Sequence, residues 1–230
     1  MIDAAQYIDT IKLRFYNDFL YQSDIYEEGE SDYHKILTEK IVKENIDPLL
    51  LARNANILDI GCGPGYFLDN MRELGYDNLT GITLSVGDYN TCIKKGHKVK
   101  QHDMSFLPHD EGFIDDSVDF IFLRHVLEHS PYPIFSLIEY NRVLKQGGRM
   151  YIETPAPDSD RLHEYGKNHY SVLGKTQIAA LLKRTGFEVN NFSLIDFDLT
   201  QTDDDTGETT PIHEQFYSFF VTKKFHLDIK

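Results

Sequence analysis

Asp59 stands two residues ahead of the first of three closely spaced glycines, Gly61, Gly63 and Gly65, and the string Arg124-His125-Val126-Leu127-Glu128-His129 sets two imidazoles four residues apart. Alternating glycines let a ligand reach main-chain N–H groups that a side chain would hold off, and the N–H groups opening a following helix favour electron-rich ligand atoms. An imidazole, with an ordinary pKa of about 6.5, can take a proton from a hydroxyl or ammonium as that group reacts. His-x-x-x-His spacing also suits a metal, but no third ligand can be named from the sequence, so no metal is assigned.

The elements that must position these groups read as an alternating α/β chain. Ile57, Leu58 and Ile60 make a short apolar run that ends in the glycine cluster, followed by a helix-like segment; this is a buried strand, a tight turn and a helix. Gly75 stops that helix, and Leu79–Leu84, Lys98–His102 and Val118–Leu123 read as the next strands. Ser130 and Pro131 offer an N-cap and first helical position for a helix running to Leu144. Lys145–Gly148 closes it, and Arg149–Glu153 is the fifth strand. Thr176–Thr185 is a helix stopped by Gly186, and Phe187–Phe197 with Phe216–Thr222 forms the last strand pair. Residues 1–50 read as helical up to Pro48, with Ile8, Ile11, Phe15 and Phe19 on one stripe, Tyr33, Leu37 and Ile41 on another, and a loop or broken helix over Tyr21–Ser31. The acidic stretch Thr202–Thr210 lacks calcium-loop spacing and reads as a solvated turn. Ligands of open α/β sheets sit beyond the carboxyl ends of the strands, which puts the glycine turn and His125 at the same edge.

Lys plus Arg is 23 against 37 for Asp plus Glu, a formal charge of −14. Such a balance repels phosphate backbones and anionic membranes, so a nucleic-acid partner is expected to be absent. No apolar run is long enough to span a bilayer, and the first residues, interrupted by Asp3, Asp9, Lys12 and Arg14, do not form a signal segment. Cys62 and Cys92 are too few for a disulfide framework. A soluble cytoplasmic protein, monomeric or a homodimer, is the expectation.

The glycines of N-I-L-D-I-G-C-G-P-G-Y-F-L fall as G-x-G-x-G rather than the G-x-G-x-x-G of dinucleotide enzymes. With Asp59 ahead of them, the stretch resembles motif I of the class I S-adenosylmethionine-dependent methyltransferases. R-H-V-L-E-H and R-V-L-K-Q-G-G are similar to strings of the ubiquinone-biosynthesis type and its small-molecule relatives, and the likeness spans roughly Leu50 to Val189. The resemblance implies a Rossmann-like class I methyltransferase fold: a seven-stranded, mostly parallel sheet with helices on both faces, a reversed last strand and an N-terminal helical lid. It also implies one domain over 1–230, with the lid at 1–50, a cofactor half at 51–153 and a substrate loop with the C-terminal strands at 154–230.

Carried over from the family, Asp59, Gly61, Cys62, Gly63 and Gly65 would hold the aminocarboxypropyl part of S-adenosyl-L-methionine, whose product is S-adenosyl-L-homocysteine. Q-H-D-M-S-F-L-P resembles the adenine-binding segment and places Asp103 and Met104 at the ring, and Leu123, at the end of the fourth strand, joins the cofactor set. Where the family carries an acidic ribose ligand, G-I-T-L-S has Thr83, as in cyclopropane fatty-acid synthases; the loss of a charge-assisted hydrogen bond there should weaken cofactor binding. His125 is the first choice of general base, with His169 and His163, on the connection Thr154–Gly174, as further catalytic candidates. Tyr16, Tyr21 and Tyr33 of the lid, with Tyr26 beside them, and Tyr170 are pocket candidates for substrate. His129 is placed with them and also read as a hydrogen-bonded residue of its turn.

The expected activity is methyl transfer to an oxygen or nitrogen of a small molecule, with that molecule as partner. Neither an Asp/Asn-Pro-Pro-aromatic string nor a Pro-Cys nucleophile follows the fourth strand, as a nucleobase amino- or C5-methyltransferase would show. A non-catalytic cofactor-binding module or partner subunit, and a lipid-modifying enzyme of the cyclopropane-synthase type, are the alternatives.

Overall fold

The computed structural model describes residues 25, 27–202 and 207–226. Seven strands form one sheet in the order β3-β2-β1-β4-β5-β7-β6. They are β1 (Ile57–Ile60), β2 (Leu79–Thr83), β3 (Val99–Gln101), β4 (Val118–Arg124), β5 (Leu144–Pro155), β6 (Phe187–Thr202) and β7 (Thr209–Lys223). The first five pair in parallel, and β7 lies antiparallel between β5 and β6. The sheet is therefore mostly parallel with a reversed last strand, as expected.

Successive strand residues point to opposite faces, and β1 shows what this does to the core. Leu58 and Ile60 face a layer that includes Ile121 and Leu123 of β4, Leu137 and Tyr140 of helix α4 (Pro133–Val143), and Ile178 and Leu182 of helix α5 (Lys175–Arg184). Ile57 faces the other layer, with Phe67, Leu68 and Met71 of helix α2 (Tyr66–Glu73) and Cys92 of helix α3 (Val86–Lys94). On this second face Phe67 stacks on Phe122 at 4.0 Å and Phe122 on Tyr151 at 5.4 Å. Each such pair adds about 1 kcal/mol to the burial itself, fixing β4 and β5 against α2.

Three expected boundaries move. The helix after β4 begins at Pro133, not Pro131, because Ser130 is drawn inward: its hydroxyl meets Ser136 Oγ at 2.7 Å and accepts from the Tyr132 N–H, while Leu127–His129 forms a single 3₁₀ turn. β5 starts at Leu144 and makes a register shift before Arg149, so Lys145–Gly148 belongs to the strand. The β6–β7 pair is longer than expected, reaching Thr202 and Thr209. Helix α1 (Asp32–Ile41), capped by Ser31, is followed by a π turn at Val42–Ile46 and a 3₁₀ turn that contains Pro48. The lid stripe Ile8 to Phe19 and the candidates Tyr16, Tyr21 and Tyr26 lie outside the described residues. No described helix is long and apolar enough to cross a membrane.

Candidate functional site

Gly61 and Gly63 hold left-handed φ of +69° and +49°, and each is pressed from above: a Cβ at Gly61 would strike Val126, and one at Gly63 would strike the Glu28 carboxylate. Gly65, at φ +88°, is the N-cap of α2. Beneath the turn Asp59 is buried, with Oδ2 lacking a hydrogen-bond partner among the described residues; burial, with lesser contributions from Cys92 and Glu28, pushes its carboxyl well up. Asp103 resembles it. Its Oδ1 accepts the Ser105 N–H at 2.6 Å, its buried Oδ2 has no partner among the described residues, and burial raises its pKa against the pull of Ser105. Two carboxylates with unmet acceptor capacity are costly unless a ligand brings donors to them. An amino acid ammonium and an adenine amino group are such donors, so these residues fit S-adenosylmethionine.

A cavity of about 480 Å³ opens at this edge of the sheet. Gly61, Gly63, Thr83, Asp103 and Met104 line it, together with Tyr33, His125, His129, His163, His169 and Tyr170. Asp59, Cys62, Gly65 and Leu123 are not in its wall. The pleat turns Leu123 into one core layer, and Cys62 packs in the other. The Thr83 hydroxyl accepts the Ser85 N–H at 3.2 Å.

His125 is held at the end of β4 in a left-handed conformation, φ +50°. Its Nδ1 lies 3.3 Å from Glu128 Oε1 and its Nε2 3.3 Å from Glu153 Oε1, while Phe216 meets the ring edge-on at 4.5 Å. Burial would lower the imidazole pKa, but the two carboxylates outweigh it and raise it to about 9. Glu153 is also buried, which would raise it; the His125 hydrogen bond and the Arg124 charge, at 2.9 Å, bring it instead to about 2. Both His125 nitrogens thus face carboxylates, an arrangement that favours the protonated ring over the free base expected at this position.

The other histidines are held differently. His163 Nε2 donates to the fully buried Glu214 at 3.0 Å. The Nδ1–H of His129 donates to the Asn168 carbonyl at 3.0 Å, and that of His169 to the His163 carbonyl at 2.8 Å. Glu128, His129 and His169 offer ligand atoms all within 4.8 Å of one another; the group includes His129 of the His-x-x-x-His pair but not His125.

Several wall residues gave little sign in the sequence. Glu28, Arg124 and Arg161, and Phe197, Leu199 and Phe216 of the β6–β7 hairpin, all line the cavity. Asp88 does too, and Ser85-x-x-Asp88, with Ser85 capping α3, was the one local signal among them.

The family described as the methyltransferase domain matches residues 33–191. The chain belongs to this family, the class I S-adenosylmethionine-dependent methyltransferases, and S-adenosylmethionine is the family's cofactor. A tRNA U34 carboxymethyltransferase of Nautilia profundicola is 28% identical over 137 residues, 57% of this chain and 43% of that protein. The 27-O-demethylrifamycin SV methyltransferase of Amycolatopsis mediterranei is 25% identical over 176 residues, 71% of this chain and 65% of the relative. The chain spans about half the length of the tRNA-directed relatives it matches. A S-adenosylmethionine-dependent methyltransferase from Archaeoglobus fulgidus shares the fold, with a TM-score of 0.64, 19% identity, and coverage of 82% of this chain and 94% of that one.

These relatives overturn the expectation that nucleic acid is excluded as a partner. Several carry names that specify a tRNA. Net charge is a sum over the whole chain, whereas contact with an acceptor is local, and Arg124 and Arg161 face this cavity.

Proposed function

We propose that this chain transfers a methyl group from S-adenosylmethionine to an oxygen or nitrogen of its acceptor. One observation carries the reading: a single cavity runs from the glycine turn and Asp103 to a wall of histidines and aromatic residues, so donor and acceptor can meet within it. The cofactor, when bound, supplies an electrophilic methyl group on sulfur. In this reading Asp59 and the turn at Gly61–Gly65 hold its amino acid end, Thr83 its ribose and Asp103 its adenine amine. Tyr33, Tyr170 and Phe216 exclude water and align the acceptor, and alignment is the main source of acceleration in such a displacement. The His125 cation, clamped by Glu128 and Glu153, positions rather than deprotonates. The proton lost by the acceptor passes to His163, whose Nε2–H is held by Glu214 and whose Nδ1 keeps the lone pair.

The acceptor itself divides two readings. The rifamycin relative favours a hydroxyl of a small molecule, and the tRNA relatives favour a nucleic acid. Calorimetric titration with S-adenosylmethionine, S-adenosylhomocysteine and NAD tests the donor, using Asp59→Ala and Asp103→Ala as controls. Binding of NAD but not of the adenosyl compounds would end the proposal. Labelled methyl transfer, assayed in parallel on phenolic and polyketide hydroxyls and on unfractionated tRNA, then separates the two acceptors.

A further inference from the structure

We propose that Glu128, His129 and His169 form a binding site for a divalent first-row transition ion in the wall of the cavity. A buried carboxylate and two imidazoles are a familiar donor set for such ions, with imidazole selecting them over magnesium. Their ligand atoms stand within 4.8 Å of one another. Ligands about 2.0–2.2 Å from an ion lie roughly 3–3.5 Å apart, so the outermost pair must close by roughly 1.3–1.8 Å. His169 sits on the connection after β5 together with His163, whose carbonyl it meets, so a shift of that segment can supply the movement with the bond kept.

The surroundings are built as the ring orientation of a ligand requires. Metal-bound imidazoles characteristically donate their second N–H to a carbonyl or carboxylate, which fixes the tautomer and aims the lone pair. Here the Nδ1 of His129 donates to the Asn168 carbonyl and the Nδ1 of His169 to the His163 carbonyl, which leaves Nε2 of both as the lone-pair nitrogen. The two rings lie edge to face, 4.8 Å apart. The main chain keeps the three together, because the Glu128 carbonyl accepts the N–H groups of both Tyr170 and Ser171, at 2.7 and 2.9 Å. Glu128 is 1% exposed; among the described residues its Oε1 meets His125 Nδ1 at 3.3 Å and its Oε2 accepts from the Thr154 hydroxyl at 3.4 Å, and each oxygen keeps a further lone pair for an ion. An ion here faces the acceptor side of the cavity and would orient an acceptor oxygen and favour its anionic form. That last role rests on the methyl-transfer reading; the binding of the ion does not.

The test is titration of the chelator-treated full chain with Mn²⁺, Co²⁺ and Zn²⁺, read by calorimetry, by Mn²⁺ electron paramagnetic resonance and by the visible bands of Co²⁺. One ion per chain is expected, with Mg²⁺ binding more weakly. His169→Ala and His129→Asn should each weaken binding at least tenfold, and His109→Ala should leave it unchanged. Glu128→Gln should do the same as the histidine variants; it is buried and can fail to fold, whereas His169 lies on a connection and keeps the test decisive. Binding weaker than about 1 mM would overturn the site. So would binding unaffected by His169→Ala, or binding lost instead in His213→Ala, since His213 meets Asp196 and Asp198 on the outer hairpin. Titration of the metal-free protein with S-adenosylhomocysteine proceeds through Asp59 and Asp103, so its result judges the methyltransferase reading separately.

Discussion

The Asp88 carboxylate accepts two main-chain N–H groups from the segment that crosses the glycine turn, that of Glu28 at 3.0 Å and that of Gly29 at 3.1 Å. The same segment places the Glu28 side chain over Gly63. A buried carboxylate at the start of α3 thus ties down the covering of the cofactor end. Asp88→Ala should release that segment, with faster hydrogen exchange at the Glu28 and Gly29 amides and a stability loss of about 2 kcal/mol. Unchanged exchange at both amides would disprove the tether.

The glycines can be separated by what surrounds them. Gly61→Ala meets both a left-handed backbone and Val126, whereas Gly96, at φ +77°, has nothing among the described residues within 4 Å of its missing Cβ. Gly96→Ala should cost only the backbone term, roughly 1–2 kcal/mol, and bind S-adenosylhomocysteine normally. Gly61→Ala should cost more than that and lose binding. Chemical denaturation and calorimetry of the pair check this, and equal behaviour would show that close packing at Gly61 is unimportant.

Glu153 sets an acid limit to stability. Its folded pKa of about 2 lies below the ordinary 4.5, so the carboxylate binds its proton more weakly in the folded chain. The resulting stabilisation is fully present above about pH 4.5 and is lost as the pH falls toward 2, for a total of roughly 3 kcal/mol. Glu153→Gln should flatten that part of the stability–pH curve, as followed by urea unfolding between pH 2 and 6. A slope as steep as in the parent would place the acid sensitivity elsewhere.

Phe216 tests the division of the cavity. The side chain is 9% exposed and packs on the edge of His125. Phe216→Ala should cost about 3 kcal/mol of stability. It should impair acceptor turnover while leaving S-adenosylhomocysteine affinity within about twofold, equivalent to roughly 0.4 kcal/mol. A large fall in cofactor affinity would mean that this wall serves the donor as well.

The parts legible in the sequence were those fixed by neighbours along the chain. β1, its glycine turn and α2 follow from an apolar run, three glycines and an amphipathic segment within some fifteen residues, and the strand order follows from a family that shares that turn. His125 was legible as a residue at the ligand edge but not in the two carboxylates that face it. Glu128 is brought to the ring by the turn after β4, and Glu153 sits on the adjacent strand and reaches it through the register that pairs Arg124 with Glu153. Likewise the partner of Glu128 and His129 is His169, about forty residues on, brought back by two main-chain bonds that no spacing rule foresees. Helix α4 began late because the Ser130 hydroxyl finds partners inside the protein, a tertiary preference that local capping rules do not contain.

The β6–β7 hairpin runs well beyond the rest of the sheet. Pairing of β5 with β7 ends at Pro155 and Phe216, yet β6 and β7 continue together to Thr202 and Thr209. Phe197 and Leu199 of this overhang enter the cavity wall, while the glycine turn and Asp103 follow β1 and β3, neither of which pairs with it among the described residues. The overhang is in effect an exchangeable part. Lengthening, shortening or re-facing it would reshape that part of the cavity wall without disturbing the register of β1, β2, β3 and β4.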